Sequence, residues 1–372
     1  MKVKPYILVM LSVVVAASCR DHTGIEEDFP IGLSALSSST RSVIQNINDF
    51  NTQGSFGVYG YKSVGSYRQI FIDQEVNYNS TAWEYIPIKY WDRNCYYNFG
   101  AYAPYFDDTS SATDPYLSHN SVSSGSDNHV LTVKNFPNWQ WVSARYFASD
   151  TETFNTSNNQ GCKDLQFAFS HDAAQNYITN DAGYVHFTFD HALAWIEIQV
   201  SSPSLPDNPT TNFYITDLSI GNDSNYPPTH ENCDVPDGNG NFDFNVNYSA
   251  ETIGFGTPTA TGYATLYPVS TGQRLKITKD DQLICSYLCV PFAVTGDGIF
   301  LHLSYNTGTS TPVTKKSVAI PLSTTENLKS LEQGKKYTVK LRFEMGEPLK
   351  VVKVYVTDWN NGGEENRAFY NW

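Results

Sequence analysis

The sequence predicts an all-β protein with two tandem β-sandwich domains, and three observations carry that prediction. Aromatic residues make up 14% of the 372 residues and charged residues only 17%; aromatic and β-branched side chains suit the pleated surface of a sheet. Many short stretches alternate apolar and polar residues between turns rich in glycine, asparagine and proline, and we find no convincing helical period. The chain is also longer than one hydrophobic core usually organises, so two domains are expected.

Residues 1–18 have the pattern of a bacterial signal peptide. Lys2 and Lys4 precede an apolar run at residues 6–17, which is too short to span a bilayer as a helix. Small residues stand directly before Cys19, as a lipoprotein signal peptidase requires, and polar residues follow it. We therefore predict an exported lipoprotein whose only membrane contact is a lipid on Cys19. An ordinary secretory signal with an incidental cysteine is the alternative.

Residues 19–41 are predicted to form a lipidated propeptide that contains the first strand. Ile31, Leu33 and Ala35 alternate with small residues, as in a short strand with one buried face. A serine-rich stretch then ends at Arg41, which suits a trypsin-like, arginine-specific protease. The residues alone leave two interpretations open: a removable strand, or a flexible tether that holds the domain away from the membrane.

The first half of the mature chain alternates like a set of strands separated by polar loops. Residues 107–129 and 155–161 are rich in polar residues and are expected to be exposed loops. The run at residues 184–200 changes phase, because its apolar residues occupy odd positions up to Phe189 and even positions from Ile196. A half-buried strand cannot change phase without an irregularity, so we predict a bulge or bend between these two residues. Further strands are expected at residues 56–61 and 96–104.

Residues 201–209 contain several prolines and are expected to link two domains. The N-terminal β-sandwich would then cover residues 42–203 and the C-terminal β-sandwich residues 204–372. The last two strands of the second half would make a terminal hairpin with one buried face. Its alternating strands are expected at residues 213–220, 299–305, 318–322, 337–343 and 352–358.

The charge and the cysteines restrict the partners and the covalent structure. The formal net charge is −14, which argues against nucleic acid and anionic membrane surfaces as partners. Cys285 and Cys289 point to the same face of a strand, and their spacing is too long for a disulfide. An odd number of cysteines beyond Cys19 excludes complete internal pairing. Buried free thiols are therefore expected at Cys95, Cys162, Cys233, Cys285 and Cys289.

The sequence offers no convincing catalytic or metal-binding pattern. His186, Asp190 and His191 are close in sequence, but the two histidines fall on opposite faces of a strand unless a bulge intervenes. Residues 237–243 resemble the start of a calcium loop, yet Phe242 stands where that loop needs glycine, so a polar hairpin turn is expected. Nucleophile-elbow, phosphate-loop and zinc-protease motifs are absent from the sequence. We predict no enzyme, no cofactor and no metal site.

Three sequence blocks occur in the order found in one group of surface proteins. They are Tyr-x-Phe-x-Ala-Tyr-Ala-Pro at residues 97–104, preceded by Trp83 and Trp91; Phe-x-Phe-Asp-His-Ala-Leu-Ala-x-Ile at residues 187–196; and Gly-Lys-Lys-Tyr-Thr-Val-Lys-Leu at residues 334–341, followed by residues 354–359. Together with Cys19 and Arg41, these blocks make the chain similar to the fimbrillin-like (Mfa-like) family, type V pilin-related lipoproteins of Bacteroidales.

The resemblance implies two transthyretin-like β-sandwich domains and a structural or adhesive fimbrial (pilus) subunit. Such a precursor is lipidated at Cys19, carried to the outer membrane and cell surface, and cut after Arg41 by an arginine-specific protease. Loss of the strand with Ile31 and Leu33 would open an apolar groove and an unpaired sheet edge, which a strand of another fimbrial subunit would fill. The candidate donor is the region from residue 351 onward, with Val352, Val354 and Val356.

A monomeric surface lipoprotein that binds glycans or another host or bacterial surface ligand is the alternative function. Its sugar-stacking side chains would be exposed tryptophans, since aromatic rings stack on sugar rings. We expect these side chains to fill the sandwich cores instead, because most of them lie in alternating stretches. They are Trp83, Trp91, Trp139 and Trp141.

Overall fold

The structure is a computed structural model. It describes residues 30–37, 55–63, 67–79, 81–92, 95–105, 116–119, 130–147, 154–158, 162–171, 184–206, 212–229, 232–236, 241–247, 252–256, 261–268, 270, 273–307, 314–322, 328–344, 350–358 and 369–370.

The described residues form 27 β-strands and no α-helix. The first half of the chain contains β1 (Gly32–Ser37), β2 (Ser55–Ser63), β3 (Tyr67–Tyr78), β4 (Trp83–Glu84), β5 (Tyr96–Ala103), β6 (Tyr116–His119), β7 (Val130–Pro137), β8 (Gln140–Phe147), β9 (Phe154–Asn158), β10 (Gln166–His171), β11 (Tyr184–His191) and β12 (Ala194–Ser201).

The second half continues the numbering. It contains β13 (Phe213–Gly221), β14 (Val235–Pro236), β15 (Asn241–Asn247), β16 (Thr252–Phe255), β17 (Thr261–Gly262), β18 (Ala264–Tyr267), β19 (Leu275–Lys276), β20 (Gln282–Cys289), β21 (Phe292–Ala293), β22 (Phe300–Thr307), β23 (Thr314–Pro321), β24 (Ser330–Leu331), β25 (Lys335–Arg342), β26 (Lys350–Asp358) and β27 (Phe369–Tyr370).

The first sheet has the strand order β1-β11-β10-β5-β2-β3-β4. β1 is parallel to β11, and the other neighbours are antiparallel. One face of this sheet carries the first core, which is rich in aromatic side chains such as Phe56, Trp91, Phe99 and Phe187. Phe56 and Phe187 meet edge to face with ring centroids 5.9 Å apart, an arrangement that aromatic pairs favour.

The second and third sheets pack face to face. The second sheet has the order β27-β26-β25-β12-β20-β8-β9, and the third has β18-β13-β22-β23 with β19 beside β13. Ile198, Cys285 and Val339 of the second sheet share the second core with Leu218 and Leu303 of the third. Two sheets joined by facing apolar side chains form a β-sandwich. The all-β prediction is confirmed.

A fourth sheet lies against the other face of the first. Its order is β16-β15-β7-β6. Val133 and Phe242 of this sheet share the third core with Tyr59 and Tyr102 of the first sheet. The first sheet is therefore buried on both faces, which accounts for the long apolar pattern of β5. Two further pairs, β14-β17 and β21-β24, complete the described strands.

The second and fourth sheets combine strands from both sides of the predicted domain boundary. β7 pairs with β15, β8 pairs with β20, and β12 lies between β20 and β25. Leu205, in the predicted linker, is buried in the second core, and the Ser202 amide donates to the Thr278 carbonyl over 2.8 Å. The domain limits at residues 42–203 and 204–372 stay a prediction.

The change of phase before residue 196 marks a crossover between two sheets. β11 ends at His191 in the first sheet, and β12 begins at Ala194 in the second. Ala192 and Leu193 between them are buried in the third core. The predicted bend between Phe189 and Ile196 is confirmed, and its cause is that one continuous stretch serves two different cores.

Two predicted loops contain strands, so that part of the prediction was wrong. β6 (Tyr116–His119) lies within residues 107–129, and most of β9 (Phe154–Asn158) lies within residues 155–161. Both are at sheet edges, β6 in the fourth sheet and β9 in the second. Edge strands tolerate polar side chains because one side is not covered by a neighbour. Alternation of apolar residues therefore fails to reveal them.

Candidate functional site

β1 is the edge strand of the first sheet, and the two residues just before it also contact the segment of residues 85–90. On one side it pairs with β11 from Gly32↔Tyr184 to Ser37↔Phe189. On the other side the Ile31 amide donates to the Lys89 carbonyl over 2.9 Å, and Pro30 forms an antiparallel bridge with Tyr90. We call the space that β1 fills, between β11 and residues 85–90, the β1 groove.

A tyrosine hydroxyl fixes the start of β1 in this groove. Tyr85 Oη donates to the Ile31 carbonyl over 2.7 Å and accepts from the Lys89 amide over 3.2 Å. The phenol of a tyrosine is protonated at neutral pH and can donate, and burial raises the pKa of Tyr85 further. Tyr85 therefore ties β1 to the segment that forms the far wall of the groove.

The inward side chains of β1 belong to the first core. Ile31, Leu33 and Ala35 are 1%, 2% and 4% exposed. They pack with the inward residues of β11, including Phe187 and Phe189. The predicted alternation of Ile31 and Leu33 is confirmed as a buried face. Burying one large aliphatic side chain such as Ile31 or Leu33 contributes about 1.5–3 kcal/mol, so β1 and the residue before it help to stabilise this core.

The outward face of β1 is covered by side chains of β11. The Tyr184 ring lies over Gly32, where a Cβ atom would be 2.6 Å from Tyr184 Cδ1. Ser34 Oγ forms a short hydrogen bond with His186 Nδ1, and the Tyr184 and His186 rings stack with centroids 6.3 Å apart. β11 thus contacts β1 through its backbone, its inward side chains and its outward side chains.

Exposed apolar side chains border the groove. Among the described residues, the large hydrophobic side chains that remain exposed are Ile86, Ile88, Tyr90, Tyr96 and Tyr184. Ile86 is 85% exposed. All of these except Tyr96 lie on the two elements that flank β1. Clustered exposed apolar residues mark interaction surfaces more often than scattered ones do.

The candidate donor strand lies in the second sheet. β26 pairs with β25 along its length, from Arg342↔Lys350 to Lys335↔Asp358, and with β27 on its other side. Val354 is 4% exposed in the second core, and Val356 packs partly buried against it. The side chain of Val352 lies outside the described part. The donor role of these valines stays a prediction.

A buried polar cluster that the sequence did not reveal lies where β11 leaves the first sheet. His191 Nδ1 is 2.9 Å from Asp164 Oδ1, and their side chains are 7% and 1% exposed. Gln166 Nε2 donates to the other Asp164 oxygen over 3.1 Å. His186 is exposed and His191 buried on the same strand, so the prediction of opposite faces is confirmed. The partner of His191 is 27 residues away in sequence, which is why spacing gave no signal.

The tryptophans pack inside the protein. Trp91 and Trp139 are buried, while Trp83 and Trp141 are partly buried against the first and second cores. Core filling is confirmed for Trp91 and Trp139, and none of the four forms a fully exposed stacking surface for sugars. Among the described residues, no group of three or more histidine, cysteine, aspartate or glutamate side chains could hold a metal ion.

The lipidation site Cys19 and the cleavage site Arg41 fall outside the described residues. Of the hairpin turn predicted at residues 237–243, residues 237–240 also fall outside them, while residues 241–243 begin β15. β15 pairs with β7 and β16, and β14 before it pairs with β17, so the described strands on either side do not form that hairpin. In the part of the chain that the structure describes, no helix is long and apolar enough to cross a membrane.

None of the five cysteines in the described part of the chain forms a disulfide, and four of them are buried. Burial raises the pKa of Cys162, the half-buried thiol, to about 12, and it also raises the pKa of Cys285 and Cys289. The prediction of buried free thiols is confirmed for Cys95, Cys233, Cys285 and Cys289.

We expect the folded protein to resist thiol alkylation. A maleimide reagent at about pH 8 should leave Cys285 and Cys289 unmodified, because thiolates react and burial suppresses their formation. Cys162, the least buried, should react first. Peptide mapping by mass spectrometry measures the order, and the guanidine-unfolded chain is the control in which all of them react. Fast labelling of native Cys285 would contradict the buried position of β20.

A family model and solved structures match the chain. The model of the fimbrillin-like family matches residues 40–359. A fimbrial protein from Bacteroides vulgatus is similar in structure, with a TM-score of 0.56 and 16% identity over 89% of this chain and 99% of that one. The fimbrial anchor protein Mfa2 from Porphyromonas gingivalis matches with a TM-score of 0.32 and 12% identity over 92% of this chain and 100% of that one.

No relative among curated proteins matches the chain. The family match covers most of the sequence, from just before the predicted cleavage site to Trp359. It includes all three blocks on which the sequence resemblance was based. The chain belongs to the fimbrillin-like family.

Proposed function

We propose that this chain is a fimbrial subunit at the bacterial surface that assembles by strand exchange at the β1 groove. The observation that carries the proposal is the position of β1, which is held between β11 and residues 85–90 and supplies Ile31, Leu33 and Ala35 to the first core. Family membership supports a structural or adhesive role over an enzymatic one.

Removal of β1 would leave two kinds of unsatisfied surface. The backbone groups of β11 that now pair with β1 would become a free edge, and the first core would lose three buried side chains. A free edge beside an empty apolar groove is a strong template for the addition of a strand. The exposed apolar side chains Ile86, Ile88, Tyr90 and Tyr184 would then lie against the subunit that supplies that strand.

The processing steps of the proposal rest on the sequence. Lipid on Cys19 would hold the precursor at the outer membrane, and an arginine-specific protease would cut after Arg41. Since β1 ends at Ser37, such a cut would separate β1 from the rest of the chain. Other fimbrial subunits would be the partners. A donor strand at Val352, Val354 and Val356 would have to leave the second core before it could serve a neighbour.

The N-terminus of the protein at the cell surface tests this proposal. Mass spectrometry of outer-membrane and sheared-surface fractions should find a chain that starts at Ser42, in heat-labile ladders. An Arg41→Ala variant should keep residues 19–41 and fail to form ladders, whereas Lys62→Ala is a control outside the propeptide. A chain that still starts at lipidated Cys19 and occurs only as a monomer would refute polymerisation by strand exchange.

A further inference from the structure

The close contact between Gly32 and Tyr184 restricts what can occupy the β1 groove. The two residues are paired in the parallel register of β1 and β11. A Cβ atom on Gly32 would be 2.6 Å from Tyr184 Cδ1, 2.8 Å from Cε1 and 2.8 Å from Cγ. The contact includes Cγ at the base of the ring, so a small movement of the ring tip would not relieve it. Any side chain at this position must displace the whole ring.

The Tyr184 ring is held in this place by its neighbour on β11. It stacks on the His186 ring with an interplanar angle of 17°, and His186 Nδ1 is hydrogen-bonded to Ser34 Oγ of β1. Tyr184 is 51% exposed. Rotating it away from β1 would break the stack and expose the part of the ring that β1 now covers. The outward side of the groove therefore has a preferred shape even though it faces solvent.

The inward side of the groove requires large apolar residues on either side of that glycine. Ile31 and Leu33 flank Gly32 and are almost fully buried. Residues 31–34 therefore give the pattern of a strand that fits the groove: apolar, glycine, apolar, hydroxyl. We infer that Tyr184 determines the specificity of the β1 groove, which accepts from another subunit only a strand with glycine opposite the Tyr184 ring. This inference rests on the proposed strand exchange.

The pattern is rare within the chain itself. Among its 24 glycines, only Gly32 stands between two apolar residues and is followed at the second position by serine or threonine. The candidate donor at Val352, Val354 and Val356 carries Lys353 and Tyr355 between its valines. In the parallel register of β1, with the valines inward, one of these two side chains would take the place of Gly32 and meet the Tyr184 ring. The expected occupant is thus a glycine-containing strand of a different subunit, in preference to β26 of a second copy.

An exchange experiment on the nicked full-length chain tests the inference. A specific protease site inserted after Arg41 allows a cut that leaves β1 bound. Fluorescent peptides in excess then compete for the groove, and anisotropy measures their binding. The peptides are residues 30–37 with the native sequence, the same peptide with Gly32→Val, the same with Ser34→Ala as a matched outward control, and residues 350–358. The recipients are the native chain and Tyr184→Ala.

The native peptide should enter the groove of the native recipient. The Gly32→Val peptide should bind at least about tenfold more weakly, because overpacking displaces the Tyr184 ring, and the peptide of residues 350–358 should also bind weakly. Loss of the exposed Ser34 hydrogen bond should weaken binding only about threefold. In the Tyr184→Ala recipient, the Gly32→Val penalty should disappear.

The outcomes separate the inference from the proposed function. If native and Gly32→Val peptides bind the native recipient equally, or if the penalty persists in Tyr184→Ala, the inference is wrong while strand exchange stands. If no peptide enters, strand exchange fails and the inference fails with it. Thermal unfolding of the intact chain is an independent check: Gly32→Val should lower the melting temperature in the native background and have little effect beside Tyr184→Ala. Additive effects of the two substitutions would overturn the inference.

Discussion

Replacing Leu33 by alanine is expected to destabilise the intact precursor by roughly 2–5 kcal/mol, the range found when a fully buried leucine is truncated in a packed core. Leu33 is 2% exposed and packs in the first core among aromatic side chains of the first sheet. Rigid neighbouring strands cannot collapse into the space that the lost side chain leaves. The groove would then be only partly filled, although the backbone pairing with β11 could persist.

Denaturant unfolding and hydrogen exchange measure this effect. The free energy of unfolding should fall, and the amides of β11 that pair with β1 should lose protection. Ser34→Ala is the matched control, since Ser34 lies on the same strand with its side chain outward, and exposed hydrogen bonds contribute little. If Leu33→Ala changes stability no more than Ser34→Ala does, β1 does not support the first core and the proposed groove loses its basis.

Replacing Asp164 by alanine is expected to cost roughly 3 kcal/mol, because it leaves polar groups of His191 and Gln166 buried without that acceptor. The Asp164 side chain is 1% exposed, and both of its oxygens accept hydrogen bonds. Gln166 is paired with His191 where β10 meets β11. The substitution therefore acts on the end of the strand that holds β1.

The measurement is again the free energy of unfolding, with Asp164→Asn as the conservative variant. Asparagine keeps one oxygen that can accept from His191, so it should cost clearly less than alanine does. Its amide group cannot accept from Gln166, so some loss remains. Equal stability of the alanine variant and the native chain would show that this buried cluster does not hold the crossover between β11 and β12.

The strands with one covered face were predictable from local pattern alone. In β25, Tyr337, Val339 and Leu341 are buried while Lys336 and Lys340 are partly exposed, as their alternation indicates. The same is true of β1, where the alternation of Leu33 and Ala35 with small residues predicts the buried face. A period of two in the sequence follows directly from the alternate directions of side chains along a strand.

Other features depended on partners distant in sequence. The polar strands β6 and β9 exist because they add to the edges of sheets formed by other segments. The pair of His191 with Asp164 depends on how β10 and β11 align. Pairing of β8 with β20 and of β7 with β15 crosses the predicted domain boundary. The register between distant strands depends on how the side chains and turns of both strands fit together. The pattern within one strand does not contain that information.

The sequence by itself determined the all-β class, the alternation of β1, the bend before residue 196 and the resemblance to the fimbrillin-like family, because each depends on residue types and short spacings. Only the tertiary structure decided that β1 lies between β11 and residues 85–90, and that the Tyr184 ring rests on Gly32. The physical reason is that a groove is a property of its walls, and the walls of the β1 groove are more than 50 and 150 residues away along the chain.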